Sequence, residues 1–175
     1  MSDPAHTPAP IIVTALMGPQ DFAWANGLRK RYFPSERNQL DAHVTLFHHL
    51  PPASGREVGQ VLARLTADYP PPRARLNEVM HLGRGVAYRI DSPDLMAMRD
   101  EMADHFNGLL TPQDQARPRL HVTVQNKVES KVAKALHAQL SAVFEPRPFA
   151  IAGLGSFYYR GGPWEPIARY MFRGR

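Results

Sequence analysis

His43-Val44-Thr45-Leu46 and His121-Val122-Thr123-Val124 are one short pattern written twice in a chain of 175 residues. In a β-strand, side chains alternate between faces, so the pattern puts His43 with Thr45 on one face and Val44 with Leu46 on the other. His121 and Thr123 repeat the arrangement over Val122 and Val124. Each copy offers an imidazole beside a hydroxyl, backed by an apolar face that can anchor it in a core. With eight His in the chain, two chance copies are roughly a one-in-a-thousand coincidence, so the repeat itself needs explaining.

The flanking sequence repeats too. Residues 11–17 form a short apolar run closed by Gly18-Pro19, which predicts a buried strand. Pro19 and Asp21 suit a helix N-terminus, and Phe22, Ala25, Leu28 and Tyr32 recur at helical spacing up to Pro34. Arg29-Lys30-Arg31 falls in the last turn, where the helix dipole favours cations and a solvated face is expected. The first motif strand, 43–49, is followed by a capping-box pattern, Ser54 to Glu57, and a stripe of Val58, Val61, Leu62 and Leu65. A strand over 73–80 and a turn at Gly83 and Gly85 complete the first half.

The second half runs through the same series. A strand over 86–90 leads to Ser92-Pro93 and a helix presenting Leu95, Met98, Met102, Phe106 and Leu109. The second motif strand spans 120–126, Val132, Leu136, Leu140 and Val143 stripe another helix, and a strand runs over 149–158. Equivalent points keep an offset of 75 to 78: Ile11 to Val86, His43 to His121, Ser54 to Glu129. Two copies are too few for a solenoid, which needs at least ~3, so the pattern predicts an α+β fold of two lobes related by a pseudo-twofold. The halves are expected over about 11–82 and 85–160 of a single domain, 11–175, with a final strand over 164–173 and a disordered tail over 1–10, where three Pro stand among few apolar residues.

Composition narrows the chemistry. The absence of Cys removes disulfides, thiolate nucleophiles and Cys-based zinc sites, and no apolar run is long enough to span a bilayer. A cytoplasmic monomer without a membrane partner is expected. Of the formal charge of +5, +3 lies in residues 145–175, where Phe157, Tyr158, Tyr159, Trp164, Tyr170 and Phe172 interleave with five Arg. Such a segment can attract phosphates and stack on bases, or simply be a solubilised final hairpin with its aromatics in the core.

Two imidazoles facing each other across a cleft suit displacement at phosphorus, one accepting a proton and the other donating one. Thr45 and Thr123 would donate hydrogen bonds to non-bridging oxygens. These motifs, in their repeated setting, resemble the 2H phosphoesterase superfamily, and within it the bacterial 2′-5′ RNA ligase-like, RNA 2′,3′-cyclic phosphodiesterase group. The resemblance covers residues 11–172. It implies a bilobal fold with antiparallel-rich sheets around a water-filled cleft and helices outside. It also implies no cofactor and no metal, and hydrolysis of a 2′,3′-cyclic phosphate on an RNA end or nucleotide to a 2′-phosphate. By position, His43 and His121 would be the catalytic pair and Thr45 and Thr123 the phosphate binders. The family often has Arg soon after the second motif; Gln125-Asn126-Lys127 stands here, which brings small cyclic nucleotides into consideration beside RNA.

Phe47, Gln125 and Lys127 share strand parity with their motifs, and they and Tyr159 are further candidates for touching substrate. His48 and His49 do not make a metal site with His43, because adjacent strand residues point to opposite faces. Two other readings fit the same residues: a non-catalytic RNA- or nucleotide-binding module, and a 2′-5′ RNA ligase running the same in-line chemistry in reverse.

Overall fold

The computed structural model describes residues 8–175. Of the tail expected over 1–10, residues 1–7 lie outside the described residues. The remainder is tied down, with Ala9 buried and the Pro10 carbonyl accepting the Tyr159 N–H at 3.0 Å. The first half runs β1 (Ile11–Met17), α1 (Pro19–Tyr32), β2 (Val44–Leu50), α2 (Gly55–Asp68) and β3 (Arg75–His81). The second runs β4 (Val86–Asp91), α3 (Pro93–His105), a short α4 (Pro112–Gln115), β5 (His121–Gln125), α5 (Ser130–Val143), a two-residue β6 (Arg147–Pro148) and β7 (Ile151–Tyr158). The chain closes with β8 (Glu165–Met171).

Two four-stranded antiparallel sheets organise these elements, in the orders β2-β1-β7-β8 and β5-β4-β3-β6. The sheets do not coincide with the sequence halves. Each half pairs its first two strands in one sheet and sends a later strand into the other. β3 leaves the first half to pair with β4, and β7 returns to pair with β1. β1 is an inner strand of its sheet and all seven of its residues are buried, in keeping with its continuous apolar run.

The helices follow the apolar stripes where the helix lasts long enough to present them. Val58, Val61, Leu62 and Leu65 are all buried along α2, and Leu95, Met98 and Met102 along α3. Leu109 is 47% exposed because α3 stops at His105, beyond which helical spacing no longer applies. On α5, Leu136 and Leu140 are buried but Val132 and Val143, at its two ends, are exposed. Ser92 caps α3, accepting the Leu95 N–H at 3.1 Å. The Ser54–Glu57 capping box does not form: Ser54 makes no side-chain cap, and Glu57 instead takes the His105 ring Nε2 at 2.7 Å, joining α2 to α3.

The exchanged strands make a specific prediction. A fragment ending at residue 82 retains β1 and β2 but strands β3 without its partners, and two paired strands alone are marginal at best in water. By circular dichroism this fragment should be largely unfolded, and mixing it with residues 83–175 should restore structure. A fragment folding cooperatively by itself would contradict the interlocked sheets.

Candidate active site

β2 and β5 lie at the edges of their sheets and meet each other, which brings the two motifs together. Val44, Leu46, Val122 and Val124 are at most 1% exposed, whereas His43, Thr45, His121 and Thr123 are half-buried on the opposite face. The alternation predicted for the four residues of each motif therefore holds.

Both imidazoles are aimed by the same device. His43 Nδ1 lies 2.8 Å from the Asp41 carbonyl and His121 Nδ1 lies 2.6 Å from the Arg119 carbonyl, in each case two residues upstream. A carbonyl can only accept, so Nδ1 carries the proton in both rings and Nε2 is the outward nitrogen. Among the described residues neither Nε2, nor the hydroxyl of Thr45 or Thr123, has a protein partner. Four polar groups are thus left available to a ligand.

Past the motifs the parity breaks, in the same way twice. Thr14 pairs with Thr45 and Val13 with Phe47, so Leu46 is an extra residue in β2. Ala87 pairs with Thr123 and Val86 with Gln125, so Val124 is the extra residue in β5. A β-bulge of this kind turns two successive side chains to one side. Phe47 and Gln125 consequently follow Leu46 and Val124 into the interior, 0% and 3% exposed, rather than joining the His and Thr. Phe47 lies beneath the Arg99 guanidinium, 4.3 Å from its ring centroid, and has no face left for a base. Gly85 accommodates the second bulge, since a Cβ there would overlap the Gln125 carbonyl. Lys127 lies beyond the end of β5, exposed in a turn at φ 64°, so strand parity does not carry it toward His121. Tyr159 lies beyond β7, exposed, and is not among the residues around the cavity at His43.

The aromatic group beside the site is Trp164, whose ring centroid is 4.6 Å from that of His43 and 5.8 Å from that of Phe157. These three line a cavity of about 540 Å³ floored by β1 through Thr14 and Leu16, with Gln39 and Arg169 as polar lining groups. The sequence offers Trp164 only as one of several aromatics in the basic C-terminal segment, because only the return of β7 and β8 to β1 brings it to His43.

Burial is the main reason that the His43 pKa falls to about 4; the Asp41 carbonyl partly opposes this, while the charges of Arg29, His121 and His48 add to it. His43 is therefore a neutral imidazole at neutral pH. His48, exposed on β2, is paired with Asp114, a carboxylate only 1% exposed that also accepts the His48 and His49 backbone N–H groups at 2.8 Å each. Burial pushes the Asp114 carboxyl up, but the His48 ring and these two N–H groups outweigh it and hold its pKa below the usual value. Among the described residues, no three of His, Asp and Glu cluster as a metal site, and no helix is long and apolar enough to cross a membrane.

Comparison with known proteins agrees with this architecture. The model of the 2′-5′ RNA ligase superfamily matches residues 18–163, whereas no curated protein matches the sequence. TT0787 of Thermus thermophilus superposes with a TM-score of 0.62 at 13% identity, covering 95% of this chain and 99% of its own. E. coli LigT complexed with NADP+ does so with a TM-score of 0.61, and LigT complexed with 3′-AMP with 0.56, each at 13% identity and the same coverage. At these identities the likeness is one of fold.

The depressed His43 has a consequence for stability. Between pH 6.5 and about 4 the unfolded chain binds a proton at this position that the folded protein does not. The stability His43 contributes in its neutral form is therefore complete above pH 6.5 and lost as pH falls toward 4. Chemical denaturation should show the parent losing stability relative to His43→Gln across that window. A constant difference would contradict the burial of this ring.

Proposed function

The chain belongs to the 2′-5′ RNA ligase superfamily, and on that premise we propose that it is a metal-independent phosphodiesterase opening 2′,3′-cyclic phosphates of RNA ends or nucleotides to 2′-phosphates. The observation that carries this reading is the paired orientation of the imidazoles: each is pinned through Nδ1 to the carbonyl two residues upstream and offers Nε2, beside an unpartnered Thr hydroxyl. One phosphate between the rings would meet two proton-transfer groups and two hydrogen-bond donors.

In the proposed reaction a water oxygen attacks phosphorus opposite the 3′ oxygen. His43, a neutral imidazole at neutral pH, takes the water proton on Nε2 as the P–O bond forms. His121, protonated, gives its Nε2 proton to the 3′ oxygen as that P–O bond breaks, leaving a 3′-hydroxyl and a 2′-phosphate. Thr45 and Thr123 donate hydrogen bonds to the non-bridging oxygens, where they follow the charge as it redistributes. The nucleoside fits the cavity at His43, with Trp164 and Phe157 as flat apolar walls for the base. That LigT has been crystallised with 3′-AMP and with NADP+ supports a nucleotide rather than an unrelated cyclic phosphate. The ligase direction uses the same groups in reverse, and whether it operates depends on the RNA ends supplied. Monomeric, cytoplasmic action is part of the same proposal.

Two outcomes test it. Turnover of 2′,3′-cyclic nucleotides should survive exhaustive chelation; loss with EDTA and rescue by one divalent ion would sink the metal-free mechanism. His43→Ala and His121→Ala should each lower kcat by roughly 10²–10⁴, with the double variant little worse than the poorer single one, because both serve one transition state. The pH–rate profile should lose its acidic limb in the His43 variant and its basic limb in the other. A protein that binds cyclic nucleotides tightly without turnover would instead be the binding module.

A further inference from the structure

Arg29 and Arg99 are 3% and 2% exposed, and among the described residues neither has a carboxylate within ion-pair distance. Burying a guanidinium is costly unless its donors are used, and both arginines use theirs in one pattern. Arg29, on α1, donates from Nε and Nη2 to Asn38 Oδ1 at 3.2 and 3.1 Å, and from Nη1 to the Thr123 carbonyl at 3.0 Å. It therefore grips the connection that precedes His43 and the strand that carries the other motif. Arg99, on α3, donates to the Asp114 carbonyl, in the connection preceding His121, and at 3.3 Å to the Leu46 carbonyl of the first motif. The first helix of each half thus reaches across to the opposite motif.

The two clasps differ in charge. Arg99 lies near the Asp114 carboxylate, which offsets it. The one carboxylate acting on Arg29 is Asp41, and the charge of Arg29 reaches the His43 ring. One helical turn before Arg29, Asn26 accepts the Ala42 N–H at 2.9 Å and donates to Asp41 Oδ1 at 3.3 Å. The Asp41 carbonyl is the group that aims His43. One face of α1 accordingly holds the loop behind His43 and the backbone of Thr123.

We infer that Arg29 is a positioning residue for the two-motif site, setting the spacing between the His43 loop and the Thr123 strand while its incompletely offset charge draws an anion between them. This rests on the phosphoesterase reading for its chemistry but not for its geometry. The groups acting on His43 besides Arg29 are the Asp41 carbonyl, His121 and His48, all of which remain in an Arg29 variant. Lysine at this position keeps the charge, but its single ammonium cannot serve the Asn38 oxygen and the Thr123 carbonyl in the same geometry.

The test compares the parent with Arg29→Met and Arg29→Lys by thermal unfolding, NMR titration of the His43 ring, calorimetric binding of inorganic phosphate, and kcat and KM on a 2′,3′-cyclic nucleotide. Arg29→Met should weaken phosphate binding roughly tenfold or more and move the His43 titration upward. Arg29→Lys should hold phosphate affinity and the titration near the parent but lower kcat. A folded Arg29→Met variant with parental phosphate affinity and an unmoved titration overturns the inference. If that variant does not fold, Arg29→Lys decides, parental kcat overturning the positioning role and reduced kcat at parental phosphate affinity supporting it. In a parent without turnover the hydrolase reading fails, and the Arg29 inference is decided by phosphate binding and the His43 titration alone.

Discussion

Each motif strand has a strand neighbour on one side only, and much of the structure around the site can be traced to that edge. β2 pairs with β1 and β5 with β4, so the outer N–H and C=O groups of both must find partners elsewhere. On β2 the Asp114 carboxylate takes two N–H groups and Arg99 supplies the Leu46 carbonyl; on β5 Arg29 supplies the Thr123 carbonyl. Ionic side chains can be buried here because they complete these edges. The same bonds tie each motif strand to the connection leading into the other motif, so satisfying the backbone and shaping the site are a single act of folding.

The exchange of strands supports that arrangement from behind. Because β3 and β7 each complete the other half's sheet, the two sequence halves cannot separate without breaking strand pairs, and the cleft between β2 and β5 lies between halves that the topology interlocks. Within this twofold frame the contents differ. The first motif has beside it the cavity and Trp164, both partly supplied by the C-terminal strands, and its His43 has a depressed pKa, partly under the charge of Arg29. Near-identical motifs thereby acquire different surroundings.

Much of this was legible in the residues. The strand at 11–17, the apolar stripe of α2, the Ser92 cap and the His-x-Thr alternation all depend on local periodicity or capping chemistry, which a sequence expresses directly. The failures share a different cause. Leu109, Val132 and Val143 obey helical spacing but lie beyond or at the ends of their helices. Glu57 leaves the capping box because His105, from another helix, is the partner it reaches. Arg29 lies in a basic triplet that reads as solvated, and only the packing of α1 against β5 buries it.

Phe47 and Gln125 mark the boundary most sharply. Period-2 alternation from His43 and His121 places them in the cleft, and through Thr45 and Thr123 that alternation is right. One extra residue in each strand, opposed to an unbroken neighbour, then turns both into the core. A bulge is a property of a strand pair, so it has no signature within the bulged strand alone. The sequence by itself determined which residues could do acid–base chemistry, that they come in two copies, and which strands carry them, because these follow from residue type and local period. Tertiary structure alone decided how far along each strand the site extends, which aromatic lines it, and which arginine lies behind it, because those depend on contacts between segments distant in the chain.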